Sequence, residues 1–238
     1  MRWLILFLSL TLTACEVTVS DPQTGITPGA STLQQPAGIP LGANGFAEVV
    51  GAVQPIAISE CRRRTRGANC NFVVVIDPNR RALPNAFQSL DKDGRPVLTF
   101  TGTLIAKLRN RDELAFILSH EAAHHISGHL VRQHQNALAG AAVFAGLATL
   151  NGASAADILN AQKLGATVGA RTYSKDFELE ADELGTIITY RAGYNPLVGA
   201  QFFTVLPDPG DRFLGTHPPN AARLDAVRRA SDRLGLTG

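Results

Sequence analysis

Apolar and polar positions divide this chain into segments of different periodicity. Residues 3–12 are an apolar run preceded by a single charge, Arg2. That length fits a signal-peptide core and is too short to span a bilayer. Residues 16–44 are rich in Thr, Pro, Gly, Gln and Ser, have no apolar period, and read as a flexible tether. Val49, Val50, Val53 and Ile56 recur at helical spacing, predicting a helix over 46–60 that Pro55 kinks. Residues 71–77 read as a strand stopped by Asp77-Pro78-Asn79. Residues 85–90 and 96–101 form a hairpin around Asp91-Lys92-Asp93-Gly94.

Helical signals dominate from there on. A short helix is expected over 103–108. Asn110 and Glu113 then cap a long helix expected to run to about Gln135. Residues 137–150 are apolar and rich in Ala and Gly, which predicts a buried or hinge-like helix rather than a membrane insert. Further helices are expected over 157–164, from Ser174 to Arg191 with Gly193 closing, from Asn195-Pro196, and from the His217-Pro218-Pro219 loop to about Leu234. Strands first and helices after predict an α+β fold.

Composition narrows the class. The 238 residues are 45% hydrophobic, enough for one substantial core. The 22 Lys+Arg nearly balance the 20 Asp+Glu, which argues against a polybasic nucleic-acid grip, so no nucleic-acid partner is expected. Leu12-Thr13-Ala14-Cys15 resembles a bacterial lipobox. The expected organisation is a signal peptide over 1–14, a tether over 15–44 from a lipidated Cys15, and one folded domain over 45–238. Acyl chains would hold the protein at a membrane surface without a spanning helix. Glu16, where an Asp would resemble an inner-membrane retention signal, favours the periplasmic face of the outer membrane. In that oxidising setting Cys61 and Cys70 are expected to form a disulfide, with two free thiols as the alternative. The arginines between them, starting at Arg62, are expected as a solvated loop.

The chemistry centres on His120-Glu121-Ala122-Ala123-His124. Four residues advance a helix about 400°, so both imidazoles leave one face, one turn apart, and can bind one zinc ion. Glu121 is placed to act as general base toward a zinc-activated water. A third ligand is required. Phe177-Glu178-Leu179-Glu180-Ala181-Asp182 supplies it: Glu178 as ligand and Asp182 hydrogen-bonded to a ligand imidazole. Glu180 points elsewhere in that register and becomes the ligand if the register shifts. The Gly and His that a metzincin needs after His124 are replaced by Ser127 and Leu130.

These elements resemble the HtpX-like and CAAX-prenyl-protease-like zinc metallopeptidases, a minigluzincin group, and especially its small periplasmic members. The matching segments are Pro84-Asn85-Ala86-Phe87, Thr101-Gly102-Thr103-Leu104, Asp112-Glu113-Leu114-Ala115 running into His120–His129, Tyr173-Ser174 through Glu178 to Asp182, and Thr216-His217-Pro218 with Arg223. The resemblance implies a mainly helical zincin core with a three-stranded sheet, one Zn2+ per chain, and Glu178 as ligand. It implies endopeptidase activity on misfolded or membrane-associated proteins, with the strand over 97–101 lining the cleft. His217 is either a fourth ligand or switch, or a loop histidine near the cleft. Arg223 is expected as an oxyanion donor, or else an ordinary ion pair; Tyr173 is a weaker oxyanion candidate. His125 and His129 are expected off the ligand face, His129 in a structural hydrogen bond, and His134 exposed. The competing function is a zinc-containing, non-proteolytic chaperone or assembly lipoprotein whose site His217 closes.

Overall fold

The computed structural model describes residues 41, 43–172, 174–208, 210 and 217–236, all in the unit Leu33–Gly238. The expected signal peptide, Cys15, nearly all of the expected tether, Tyr173 and Thr216 lie outside the described residues.

Val49, Val53, Ala57 and Cys61 stand four residues apart and are all buried, which makes one apolar stripe along a helix. That helix, α1 (Ala43–Arg64), runs through Pro55, which lies on its exposed side. Its last turn contains Arg62, Arg63 and Arg64, so these three arginines are helical and Arg66 stays in the loop. Cations are favoured at a helix C-terminus. Here Arg63 and Arg64, with Arg191, also hold the buried carboxylate of Glu60. Cys61 and Cys70 form the expected disulfide, tying the end of α1 to the first strand.

Three strands follow: β1 (Val73–Asp77), β2 (Ala86–Leu90) and β3 (Pro96–Thr101). β2 and β3 pair antiparallel, as expected of a hairpin. β1 pairs parallel with β3, giving the order β1-β3-β2. The expectation that β3 presents its edge to the cleft therefore fails. Both edges of β3 are already hydrogen-bonded, and the cleft wall is β2, whose outer edge is free within this sheet. Leu98 and Phe100 of β3 are core residues packed beneath α1 and the central helix.

Thr101 caps the short α2 (Gly102–Ile105), its hydroxyl accepting from the Leu104 amide, and accepts also from the Asn85 amide at 2.9 Å. The two loops at the cleft rim are thereby stitched together. α3 (Arg111–Ile126) is buried almost all round, which is why it crosses the middle of the molecule. Asn110 caps it, accepting from the Glu113 amide. Glu113 answers the amide of Arg109 rather than that of Asn110, a cap displaced by one residue.

The expected continuous helix to Gln135 is broken. Gly128 adopts φ +67°, a left-handed conformation that only glycine takes cheaply, and a new helix, α4 (His129–Leu150), starts there. α4 pairs with α5 (Ala155–Thr172) as a helical hairpin, capped by Ser154 and Asp157. A Cβ on Gly140 or Gly165 would overlap the other helix's backbone, so these glycines set the close approach. Residues 137–150 are not buried as expected: Ala141 is the one buried residue among them, and Leu150 is 85% exposed. No helix among the described residues is long and apolar enough to cross a membrane.

α6 (Ser174–Arg191) lies across α3, with Gly193 at φ +87° closing it. α7 (Pro196–Gly199) has Asn195 as its cap and continues into a 3-10 turn, Ala200–Val205. α8 (Asn220–Arg233) packs on α6. The fold is α+β, mainly helical, with one small sheet.

Candidate metal centre

A cleft of about 520 Å³ opens between β2, the 3-10 turn, α3 and the first turns of α6. His120, Glu121, His124 and Glu178 line it. The helix crossing that assembles them depends on a small residue: a Cβ at Gly185 of α6 would stand only 3.2 Å from the His120 Cα. That close approach brings Glu178, two turns earlier on α6, over the two imidazoles.

The donor atoms converge. His120 Nε2 and His124 Nε2 are 3.0 Å apart. Glu178 Oε2 is 3.5 Å from the first and Oε1 is 3.4 Å from the second. Zinc bonds of about 2.0–2.1 Å place tetrahedral ligand atoms roughly 3.3–3.4 Å apart, so two imidazoles and one carboxylate in this triangle suit that ion. Glu180, the alternative in a shifted register, is not in the group: its Oε2 accepts from Arg132 at 2.7 Å and lies 3.2 Å from His129 Nε2.

Electrostatics agree with a cation site. Burial alone would lower the His120 pKa, but hydrogen bonds with Asp182 and Glu178 outweigh it and raise it to about 9. Burial would raise the Glu178 carboxyl, yet hydrogen bonds from His120, His124 and His217 hold it well below the usual carboxylate range. A charged imidazole between two carboxylates is the state these groups reach by themselves.

Asp182 is fully buried and 2.9 Å from His120 Nδ1. Its partner on the other side is Arg223, bidentate at 2.8 and 2.7 Å. Arg223 is thus a buried ion pair rather than a surface one, and it also lines the cleft. It is buried, stacked over Phe203, and committed to Asp182, with Nη2 also 3.4 Å from Glu178. Sequence reasoning missed this partnership, because the two residues are 41 apart with no pattern linking them. His217 reaches the site through Glu178, its Nδ1 3.2 Å from Oε2, and remains 55% exposed. It is outside the convergent donor group.

The other histidines separate cleanly. His125 turns away to the Asn69 carbonyl at 2.8 Å, and His134 is exposed. His129 does more than the structural bond expected of it. It is buried, stacks on Phe177, and places Nδ1 2.8 Å from His124 Nδ1. Burial and the nearby His124 push its pKa down to about 4. Its approach to His124 follows from the helix break at Gly128, directly before it.

Comparison with known proteins places this arrangement. A Vibrio cholerae serotype O1 protein named "Putative beta-barrel assembly-enhancing protease" is 32% identical over 126 residues, a match covering 49% of this chain and 25% of that protein. The chain thus spans about a quarter of that relative's length. The model of peptidase family M48 matches residues 53–231, from α1 to α8, and takes in every element that builds the cleft. On a match of that extent, the chain belongs to peptidase family M48.

Proposed function

We propose that this chain is a lipid-anchored zinc endopeptidase of the bacterial cell envelope, acting on unfolded or membrane-associated proteins. The observation that supports it best is the convergence of His120, His124 and Glu178 beside Glu121 in one cleft. Zinc, when bound, supplies a Lewis acid that polarises a peptide carbonyl and acidifies water. His120, His124 and Glu178 would hold it. Glu121 takes the proton from the attacking water and returns it to the leaving amine. Asp182 keeps a proton on His120 Nδ1, so that Nε2 presents its lone pair. Arg223 acts through Asp182, as a positioning residue. An extended peptide pairs with the free edge of β2 as an added strand, beside Ala86, Phe87 and Gln88.

The envelope setting is supported by the lipobox-like Leu12–Cys15 run, the Cys61–Cys70 disulfide, and the assembly-enhancing protease named among its relatives. Chelation is the direct test. Hydrolysis of an unfolded protein such as casein should stop on treatment with a strong zinc chelator and return on adding zinc. Hydrolysis that persists in the chelator would overturn the proposal.

A pH dependence follows from His120. A metal-ligating imidazole must be deprotonated. With a pKa of about 9, His120 carries an extra proton at pH 7, which zinc must displace. Zinc affinity should therefore rise with pH and level off above pH 9. Calorimetry in buffers of different ionisation heat should find about one proton released per zinc at pH 7. No release at that pH would contradict the account.

The contact between His217 and Glu178 favours one second reading, in which His217 closes the site and the chain is a non-proteolytic assembly factor. Under the peptidase reading, His217→Ala keeps or raises proteolysis. Intact casein with both the wild type and this variant, each loaded with zinc, would favour the closed site.

A further inference from the structure

The two imidazoles of the metal centre are supported from behind in different ways, and one support has no counterpart in the reading above. His120 rests on the Asp182–Arg223 pair. His124 instead meets a second histidine: His129 Nδ1 lies 2.8 Å from His124 Nδ1, and His129 Nε2 lies 3.2 Å from Glu180 Oε2. Arg132 fixes that carboxylate at 2.7 Å and lies over the Phe177 ring, against which His129 is stacked. The geometry points to His129 and Glu180 as positioning residues for His124, a relay that sets its ring orientation and tautomer. The inference rests on the zinc reading of the site.

Hydrogen-bond logic fixes the direction. Zinc on Nε2 would leave the His124 proton on Nδ1, and the ionised Glu180 carboxylate only accepts, which puts the proton of His129 on Nε2. Its Nδ1 is then an acceptor, and His124 Nδ1 is the donor. The remaining nitrogen of His124, Nε2, offers its lone pair on the side where His120 and Glu178 converge. The break at Gly128 makes this possible. In a continuous helix, residues five apart diverge by about 140°, and His129 would face away from His124. The left-handed turn brings it back. His129 opens α4, so the root of the α4–α5 hairpin adjoins the metal centre.

The test is zinc affinity by competition with a chromophoric chelator, together with the visible spectrum of the cobalt-loaded chain. His129→Phe keeps the ring stacked on Phe177 and removes both nitrogens. It should weaken zinc binding about 10–100-fold and shift the cobalt bands, the usual scale for losing an outer support of a ligand. His129→Asn, whose amide oxygen accepts from His124, should recover part of the loss. Glu180→Ala, at a half-exposed position, should weaken binding in the same direction by a smaller factor. Unchanged affinity and unchanged cobalt bands in His129→Phe overturn the inference. So does a variant that only melts earlier, since that marks a purely structural residue. If His129→Phe does not fold, Glu180→Ala decides by the same two readouts. A wild-type chain that binds neither metal overturns the zinc reading itself, which is a different result from a variant that binds as well as the wild type.

Discussion

Replacing Glu121 with Gln should leave zinc bound and abolish proteolysis. Glu121 is adjacent to His120 on α3, buried, and lines the cleft, yet its carboxylate is not one of the converging donors. Gln has nearly the same shape and cannot take a proton from water. A positioned general base contributes about 10²–10⁴-fold to the rate, so kcat/KM on an unfolded protein should fall by at least two orders of magnitude. KM should change little, because the β2 edge and the apolar wall of Phe202 and Phe203 are untouched. Metal content at one zinc per chain would separate this loss from simple demetallation. Full activity in Glu121→Gln would remove this residue from the reaction.

The second large effect is expected at Arg223. Asp182 is completely buried and Arg223 is 7% exposed, and the two share a bidentate contact. Removing one member of such a pair strands an uncompensated charge, at a cost of about 3–5 kcal/mol. Arg223→Ala should therefore lower the melting temperature by on the order of 10 °C. The stranded Asp182 also loses the partner that orients it toward His120, so zinc affinity should drop as well, by about 10–100-fold. Arg223→Ala combined with Asp182→Ala should cost less than the two single changes added together, because neither charge is then left alone. Thermal denaturation of the four proteins checks this. Strict additivity would show that the pair acts as two independent residues.

What was legible in the sequence was local. The Asn110 cap, the spacing of His120 and His124, and the β2–β3 hairpin each follow from residues within a few positions of one another, and each appears in the structure as expected. Glu178 was legible as well, because its four-residue spacing from Asp182 puts both on one face of α6.

What was not legible depended on contacts between distant segments. The parallel pairing of β1 with β3 turns β3 into a central strand, and no pattern within β3 reveals which neighbours it has. The partner of Arg223 lies on another helix. Glu180 was expected only to point away from the metal ligands, whereas α4 comes back to meet it. That return hinges on Gly128, and a lone glycine in a helical pattern does not announce a break. The apolar run over 137–150 suggested burial, but its main neighbour among the described residues is α5, which leaves most of it exposed.

The central claim is that His120, His124 and Glu178 together hold one zinc ion. Zinc content and zinc-edge X-ray absorption of the purified full chain test it most directly, alongside His124→Ala and Glu178→Ala. The account predicts one zinc per chain in a shell of nitrogen and oxygen with imidazole scattering and no sulfur, and its loss or severe weakening in both variants. A wild-type chain free of zinc under saturating conditions, or undiminished zinc in both variants, would contradict it.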